Sequence, residues 1–239
     1  MPGMTLLRRC VAEFVGTAFL LAAIIGSGIM AERLSQGNIA IALLANSLAT
    51  GGVLVCLILA LGPISGAHFN PAVSIADAMQ QGLSAIECAC YIAAQILGGL
   101  AGVFVAHAMF GLPLVFFSQR VRSGPSQWFA EFVATFGLLL VIWGCVRFKS
   151  QFTAIAVAGY IVSAYWFTAS TSFANPAVTI ARSLSNTFAG IRPMDAPAFI
   201  IAQLLGALAA TAVFGWLAPM SALQAHDALV PHDGETRVA

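Results

Sequence analysis

Apolar residues run through this chain in long blocks, broken by short polar or Gly/Pro-rich stretches. Blocks of this length read as membrane-crossing helices, because about 20 apolar residues span a hydrocarbon core of about 30 Å. The pattern predicts six spans, over residues 10–30, 38–61, 85–110, 128–146, 152–171 and 197–217. The first block is too long for the apolar core of a signal peptide and lacks a clear cleavage context, so it reads as a retained span. Glu32 to Gly37, Gly111 to Gln127 and the basic turn Arg147-Phe148-Lys149 are connections. Residues 1–9 read as a short tail and 218–239 as a polar tail. The membrane domain is then 10–217, with halves at about 10–110 and 128–217.

Two apolar pieces are too short to cross. They read Asn70-Pro71-Ala72-Val73-Ser74-Ile75-Ala76-Asp77 and Asn175-Pro176-Ala177-Val178-Thr179-Ile180-Ala181-Arg182, identical at six of eight positions. Asn is a strong N-cap and Pro suits the first helical position, where its missing N–H costs nothing. The first piece meets Gln80-Gln81-Gly82, so each helix is expected to hold about ten residues, or roughly 15 Å. Two such half-helices entering from opposite faces would meet tip to tip at the midplane. Irregular backbone at that depth is tolerated only where protein buries it or a watery cavity runs beside it.

Two more markers repeat in the same order. Ala12-Glu13-Phe14 opens the first span and Ala130-Glu131-Phe132 the fourth. Ala94-Gln95-Ile96-Leu97-Gly98 lies in the third span and Ala202-Gln203-Leu204-Leu205-Gly206 in the sixth. Each half holds three spans, an odd number, so the second half enters from the opposite face. The predicted fold is an all-α membrane protein: six transmembrane helices plus two re-entrant half-helices in an inverted 3+3 repeat. Small residues at Ala94, Gly98, Gly102 and at Ala202, Gly206, Ala210 predict close helix–helix approach.

Composition narrows the class further. The chain is 60% apolar and 8% charged, against about 25% charge in soluble domains. A net charge of +1 with no basic run offers nothing to nucleic acid. The five cysteines sit in or beside apolar segments and read as packing residues. No nucleophile–base pair, metal-ligand cluster or phosphate loop is visible, so an enzyme is not expected. Arginine and lysine divide evenly between the two faces, but those closest to span ends favour cytoplasmic termini.

These motifs, with the loop Ser65-Gly66-Ala67-His68-Phe69-Asn70, resemble the aquaporin and aquaglyceroporin family (major intrinsic proteins) over about residues 10–217. The resemblance implies a homotetramer in the plasma (inner) membrane, surrounded by lipid, with one pore per subunit. It implies passive conduction of water or small uncharged solutes without a cofactor. Asn70-Pro71-Ala72 and Asn175-Pro176-Ala177 would form the pore centre, with two amide donors side by side. Two helix N-termini, each about half a positive charge, would disfavour cations there. Backbone carbonyls of Gly66, Ala67 and His68 would line one vestibule, His68 serving as a packed loop residue rather than a gate. Glu13 and Glu131 would hold the re-entrant loops.

The chain departs from the family at Val178, where most members carry Arg. Ungapped counting from the motifs places Thr50, Ser163 and Ser172 with it at the constriction. All four are small and uncharged, which predicts a wide, mildly polar filter. Arg182, one helical turn later, is expected to offset the half-helix's negative end or meet lipid headgroups; the alternative is that it swings back toward the pore mouth and partly replaces the missing Arg. The favoured function is a channel for glycerol, urea or a neutral metalloid hydroxide such as arsenous acid, and for water. A strictly water-selective channel and a proton-coupled transporter using Glu13 or Glu131 stay open.

Overall fold

The computed structural model describes residues 4–148 and 150–219. Lys149 and almost all of the polar tail from 218 lie outside the described residues. The long helices are α1 (Leu6–Leu34), α2 (Ile39–Ser65), α4 (Ala85–Phe110), α5 (Pro125–Arg147) and α8 (Ala196–Leu217). α6 (Thr153–Phe167) is shorter, and α3 (Pro71–Met79) and α7 (Pro176–Arg182) are the half-helices. A 3-10 turn, Pro193–Asp195, leads into α8. α1 begins inside the expected N-terminal tail because the Thr5 hydroxyl accepts from the Arg8 N–H and caps the first turn. α5 begins three residues early because Pro125 occupies its first turn.

Five helices are long and apolar enough to cross a membrane by length and composition. The expected fifth span, 152–171, is cut short: α6 has 15 residues, about 22 Å. The Thr168 hydroxyl donates to the Ala164 carbonyl at 2.6 Å, and the chain then leaves helical geometry. Thr171, Ser172 and Ala174 all take positive φ. The path before α3 does the same at Gly66, Ala67 and Phe69. Ala67 and Ser172 are equivalent in the two repeats, as are Phe69 and Ala174. Non-glycine residues in the left-handed region carry strain that surrounding structure must hold.

α1 packs on α4 and α2, and α5 on α8 and α6, while α2 meets α6 across the halves. α3 touches α8, and α7 touches α4, so each half-helix leans on the opposite half. Within each half, the repeated glycines let α4 approach α1 and α8 approach α5 closely. A Cβ at Gly98 would collide with the Phe14 carbonyl, and one at Gly206 with the Phe132 carbonyl. Phe19, Leu48 and Trp216 are among the large apolar side chains left on the outer surface, as lipid or a neighbouring subunit requires. Among the cysteines only Cys88 is fully buried and Cys56 is exposed, so the expectation of packing residues does not extend to Cys56.

Candidate functional site

The strained loops are held from behind by two buried carboxylates. Glu13 Oε1 accepts from the Ser65 hydroxyl at 2.6 Å and from the His68 N–H at 3.0 Å. Its Oε2 accepts from the Phe69 N–H at 2.7 Å and from Gln95 Nε2 at 2.8 Å. In the other half, Glu131 accepts from the Phe173 and Ala174 N–H groups, each at 2.9 Å, and from Gln203 Nε2 at 2.6 Å. Gln95 Nε2 also donates to the Ser74 hydroxyl at 2.9 Å, and Gln203 Nε2 to the Thr179 hydroxyl at 2.8 Å. The three repeated motifs are therefore one network per half: span one or four supplies the Glu, span three or six the Gln, and the half-helix the hydroxyl. Gln95, Gln203, Ser74 and Thr179 lie in the repeated motifs, but the sequence alone assigns them no role of their own. The signal was present, since a glutamine repeated in two apolar helices has no packing reason to be polar.

The half-helix tips are tied to each other. Asn70 Oδ1 accepts from the Ala72 N–H at 2.9 Å, which caps α3. Asn175 Oδ1 accepts from the Ala177 and Val178 N–H groups at 3.0 and 3.2 Å, which caps α7. Each amide nitrogen then crosses the gap: Asn70 Nδ2 donates to the Ala174 carbonyl at 2.8 Å, and Asn175 Nδ2 to the Phe69 carbonyl at 2.7 Å. The amides are thus not wholly free to face the chamber. An amide nitrogen carries two N–H groups; one of each pair is spent on the cross-tie, and one remains.

Both asparagines line a chamber of about 60 Å³, room for a short file of roughly four waters. One wall is apolar, with Leu20, Ile24, Leu138 and Ile142 in matching positions of α1 and α5. The other is polar, with His68, Asn70, Asn175 and Ser172. The buried Ser172 hydroxyl has no hydrogen-bond partner. Such a surface offers a hydroxyl-bearing solute donors along one edge and an apolar face for its carbon skeleton. His68 Nδ1 pairs with the Ser74 hydroxyl at 3.0 Å, and its Nε2 stands 3.8 Å from Asp77 Oδ2. Of the three loop residues expected along the vestibule at this end, His68 reaches the chamber itself.

The constriction differs from expectation at one position. Thr50, Ser172 and Val178 line the chamber. Ser163 is exposed, and its hydroxyl turns back to the Gly159 carbonyl at 2.9 Å. Each residue turns a helix by about 100°, so Ile161 and Tyr165, four apart, share the chamber face while Ser163 between them points away. Tyr165 OH lies 3.2 Å from Thr50 Oγ1. An aromatic hydroxyl therefore stands where a small serine was expected. Arg182 also departs from expectation. It meets no lipid: it is 1% exposed, its Nε donates to the Ala189 carbonyl, and its guanidinium lies 3.4 Å over the Phe173 ring. It lines both the chamber and a wider vestibule beyond it. The mouth is thus neither wholly small nor uncharged.

That vestibule has a volume of about 160 Å³; Arg120, Arg122 and Arg182 with Asn46, Gln127 and Thr171 form its polar side, and Ile39, Leu43, Val121 and Phe188 its apolar side. Arg122 Nε donates to the Gly190 carbonyl at 2.9 Å and Nη1 to the Ser170 carbonyl at 3.0 Å. Arg120 Nη1 donates to the Phe188 carbonyl at 2.7 Å. Burial, with the like charges of Arg182 and Arg120, pushes the Arg122 pKa down to about 9. Loop 111–124 reaches the vestibule because it runs alongside the end of α7, with Phe116 N–H on the Leu184 carbonyl and Ser118 N–H on the Ser183 carbonyl, both at 3.0 Å.

Comparison with known proteins agrees with this architecture. The model of the major intrinsic protein family matches residues 2–152 and 127–237. The chain is 54% identical over 217 residues to the aquaglyceroporin AqpS of Rhizobium meliloti, covering 91% of this chain and 93% of that one. It is 31% identical over 244 residues to the aquaporin AqpM of Methanothermobacter marburgensis, covering 90% and 98%. The X-ray structure of the aquaglyceroporin from Plasmodium falciparum superposes with a TM-score of 0.63 at 19% identity, over 88% of this chain and 96% of that one, a likeness of fold. The chain belongs to the major intrinsic protein family.

Proposed function

We propose that this protein is a passive membrane channel for small uncharged solutes, among them glycerol and urea, and for water. The observation that carries the reading is the pair of cross-tied half-helix tips facing a chamber with one polar edge and one apolar wall. The relative named an aquaglyceroporin, at 54% identity, supports the polyol part. A neutral metalloid hydroxide such as arsenous acid presents similar hydroxyls and belongs to the same class. Asn70-Pro71-Ala72 and Asn175-Pro176-Ala177 form the pore centre; Thr50, Tyr165, Ser172 and Val178 form its filter. Glu13 and Glu131 act as loop supports, since their oxygens are engaged by loop and glutamine donors. A proton carrier needs a carboxylate free to change partners, and these are not. The subunits assemble as a homotetramer in the inner membrane with cytoplasmic termini.

Tyr165 and Arg182 at the mouth favour one second reading, a channel restricted to water. Stopped-flow light scattering on proteoliposomes separates the two. Fast reswelling in glycerol or urea gradients, above empty vesicles, is the expected result. Fast shrinkage without reswelling would establish the water-restricted reading instead. Accumulation against a gradient would overturn both.

A further inference from the structure

The three vestibule arginines make no ion pair with a carboxylate among the described residues. Among the described residues the ion pairs are Arg9–Glu87, His68–Asp77 and Arg192–Asp195. Asp195, near the vestibule, is committed: its Oδ1 takes Arg192 at 2.8 Å and its Oδ2 the main-chain N–H of Arg122 at 2.9 Å. Glu32 lines the surface hollow next to Arg120 without pairing to it. The arginines are held in place by neutral backbone carbonyls, which fix their geometry but leave their charge. Arg182 Nη1 is buried, lacks any partner and belongs to a side chain lining the vestibule. Glu131 offsets Arg122 and Arg182 only from a distance, its oxygens being taken by the Phe173 and Ala174 N–H groups and Gln203. Three like charges without a directly paired carboxylate are costly unless something negative completes them.

We propose that this vestibule is a binding site for a small monoanion with a carboxylate-like or oxyanion head, held between Arg120, Arg122 and Arg182 at the mouth of the channel. Guanidinium forks match such heads through paired, charge-assisted hydrogen bonds. Gln127 supplies a neutral polar contact, since its Nε2 keeps one N–H beyond the bond to the Ala169 carbonyl. The apolar wall of the inner chamber gives an ion little to replace its hydration, so the anion stops at the mouth. There it obstructs the path of an uncharged solute. Only this last consequence rests on the channel reading.

The test uses methanesulfonate, which is ionised at all working pH values, against dimethyl sulfone, a neutral molecule of similar size. Calorimetric titration of the purified protein in an uncharged detergent is expected to show binding of the anion and none of the sulfone. Arg120 is exposed, so Arg120→Gln should keep the fold, checked by circular dichroism, and weaken binding about tenfold, the worth of one charge-assisted bond. Arg120→Lys should fall between the two. Raising ionic strength with a bulky-anion salt should weaken binding in the parent protein. Equal heats from the two ligands, or an affinity insensitive to both Arg120→Gln and ionic strength, would overturn the proposal. In phosphatidylcholine vesicles methanesulfonate should then slow glycerol reswelling. Binding without slowing would overturn the obstruction, and absence of glycerol flux without anion would count against the channel reading while the titration still decides the site.

Discussion

Glu13→Gln tests whether the carboxylates are supports or proton carriers. The substitution keeps size and shape but turns one acceptor oxygen into an NH2. Oε1 now receives Ser65 and the His68 N–H; Oε2 receives the Phe69 N–H and Gln95. Turned one way, the new NH2 faces Phe69 and Gln95. Gln95 can flip, because its Oε1 has no partner at present, but it then surrenders its bond to Ser74, and the Phe69 N–H stays opposed. Turned the other way, the Ser65 hydroxyl can rotate to accept, but the His68 N–H stays opposed. Either way one buried main-chain donor is orphaned, at a cost of about 1–3 kcal/mol, and the surviving bonds lose their charge assistance. A total of about 2–4 kcal/mol lowers the thermal midpoint by roughly 5–15 °C in a chain of this length. Glu131→Gln should be milder, because its amide can face the Phe173 N–H alone. The assay is thermal unfolding in detergent by circular dichroism, paired with glycerol flux. A Glu13→Gln protein that melts with the parent yet loses pH-gradient-driven uptake would refute the argument and restore the transporter reading.

Other outcomes follow from the same geometry. Asn175→Ala removes the cap of α7 and the bond to Phe69, so it should cost about 1–2 kcal/mol in thermal unfolding and reduce glycerol flux. Val178→Arg sets a fourth guanidinium near Arg182 and should slow glycerol several-fold in vesicles, whereas unchanged flux would mean that Val178 does not help set the mouth. Gly206→Ala drives a methyl into the Phe132 carbonyl, and calorimetric melting should show a loss of about 1–3 kcal/mol.

Much of the fold was legible because membrane burial is written in long apolar runs and because the chain says everything twice. The Asn-Pro-Ala pairs marked the half-helices, and the order of the repeated motifs marked the inversion. The filter was less legible for a geometric reason. A site built from four separate segments depends on the rotation of each helix, and counting from a distant motif accumulates error at every turn. Two residues of slip swing a side chain to the opposite face, which is how Ser163 stood in for Tyr165. Arg182 was misjudged differently. Its distance along α7 suggested the membrane surface, but loop 111–124 folds over that end and encloses it.

The doubled design also shows where the halves were allowed to diverge. The braces match: Glu13 with Glu131, Gln95 with Gln203, Ser74 with Thr179. The braces hold strained loops in both halves, so both halves carry the same parts. The last positions of the two eight-residue motifs are opposite in charge, Asp77 and Arg182. A base at a helix C-terminus complements the dipole and an acid opposes it, so helix stability accounts for Arg182 but not for Asp77. Asp77 is 1% exposed, and neither of its oxygens has a hydrogen-bond partner; its neighbour is His68 Nε2 at 3.8 Å. The chamber is therefore symmetric in its scaffold and polar along its length, with an acid–histidine pair behind one end and arginines at the other. A solute meets equivalent backbones from either side but not equivalent charge.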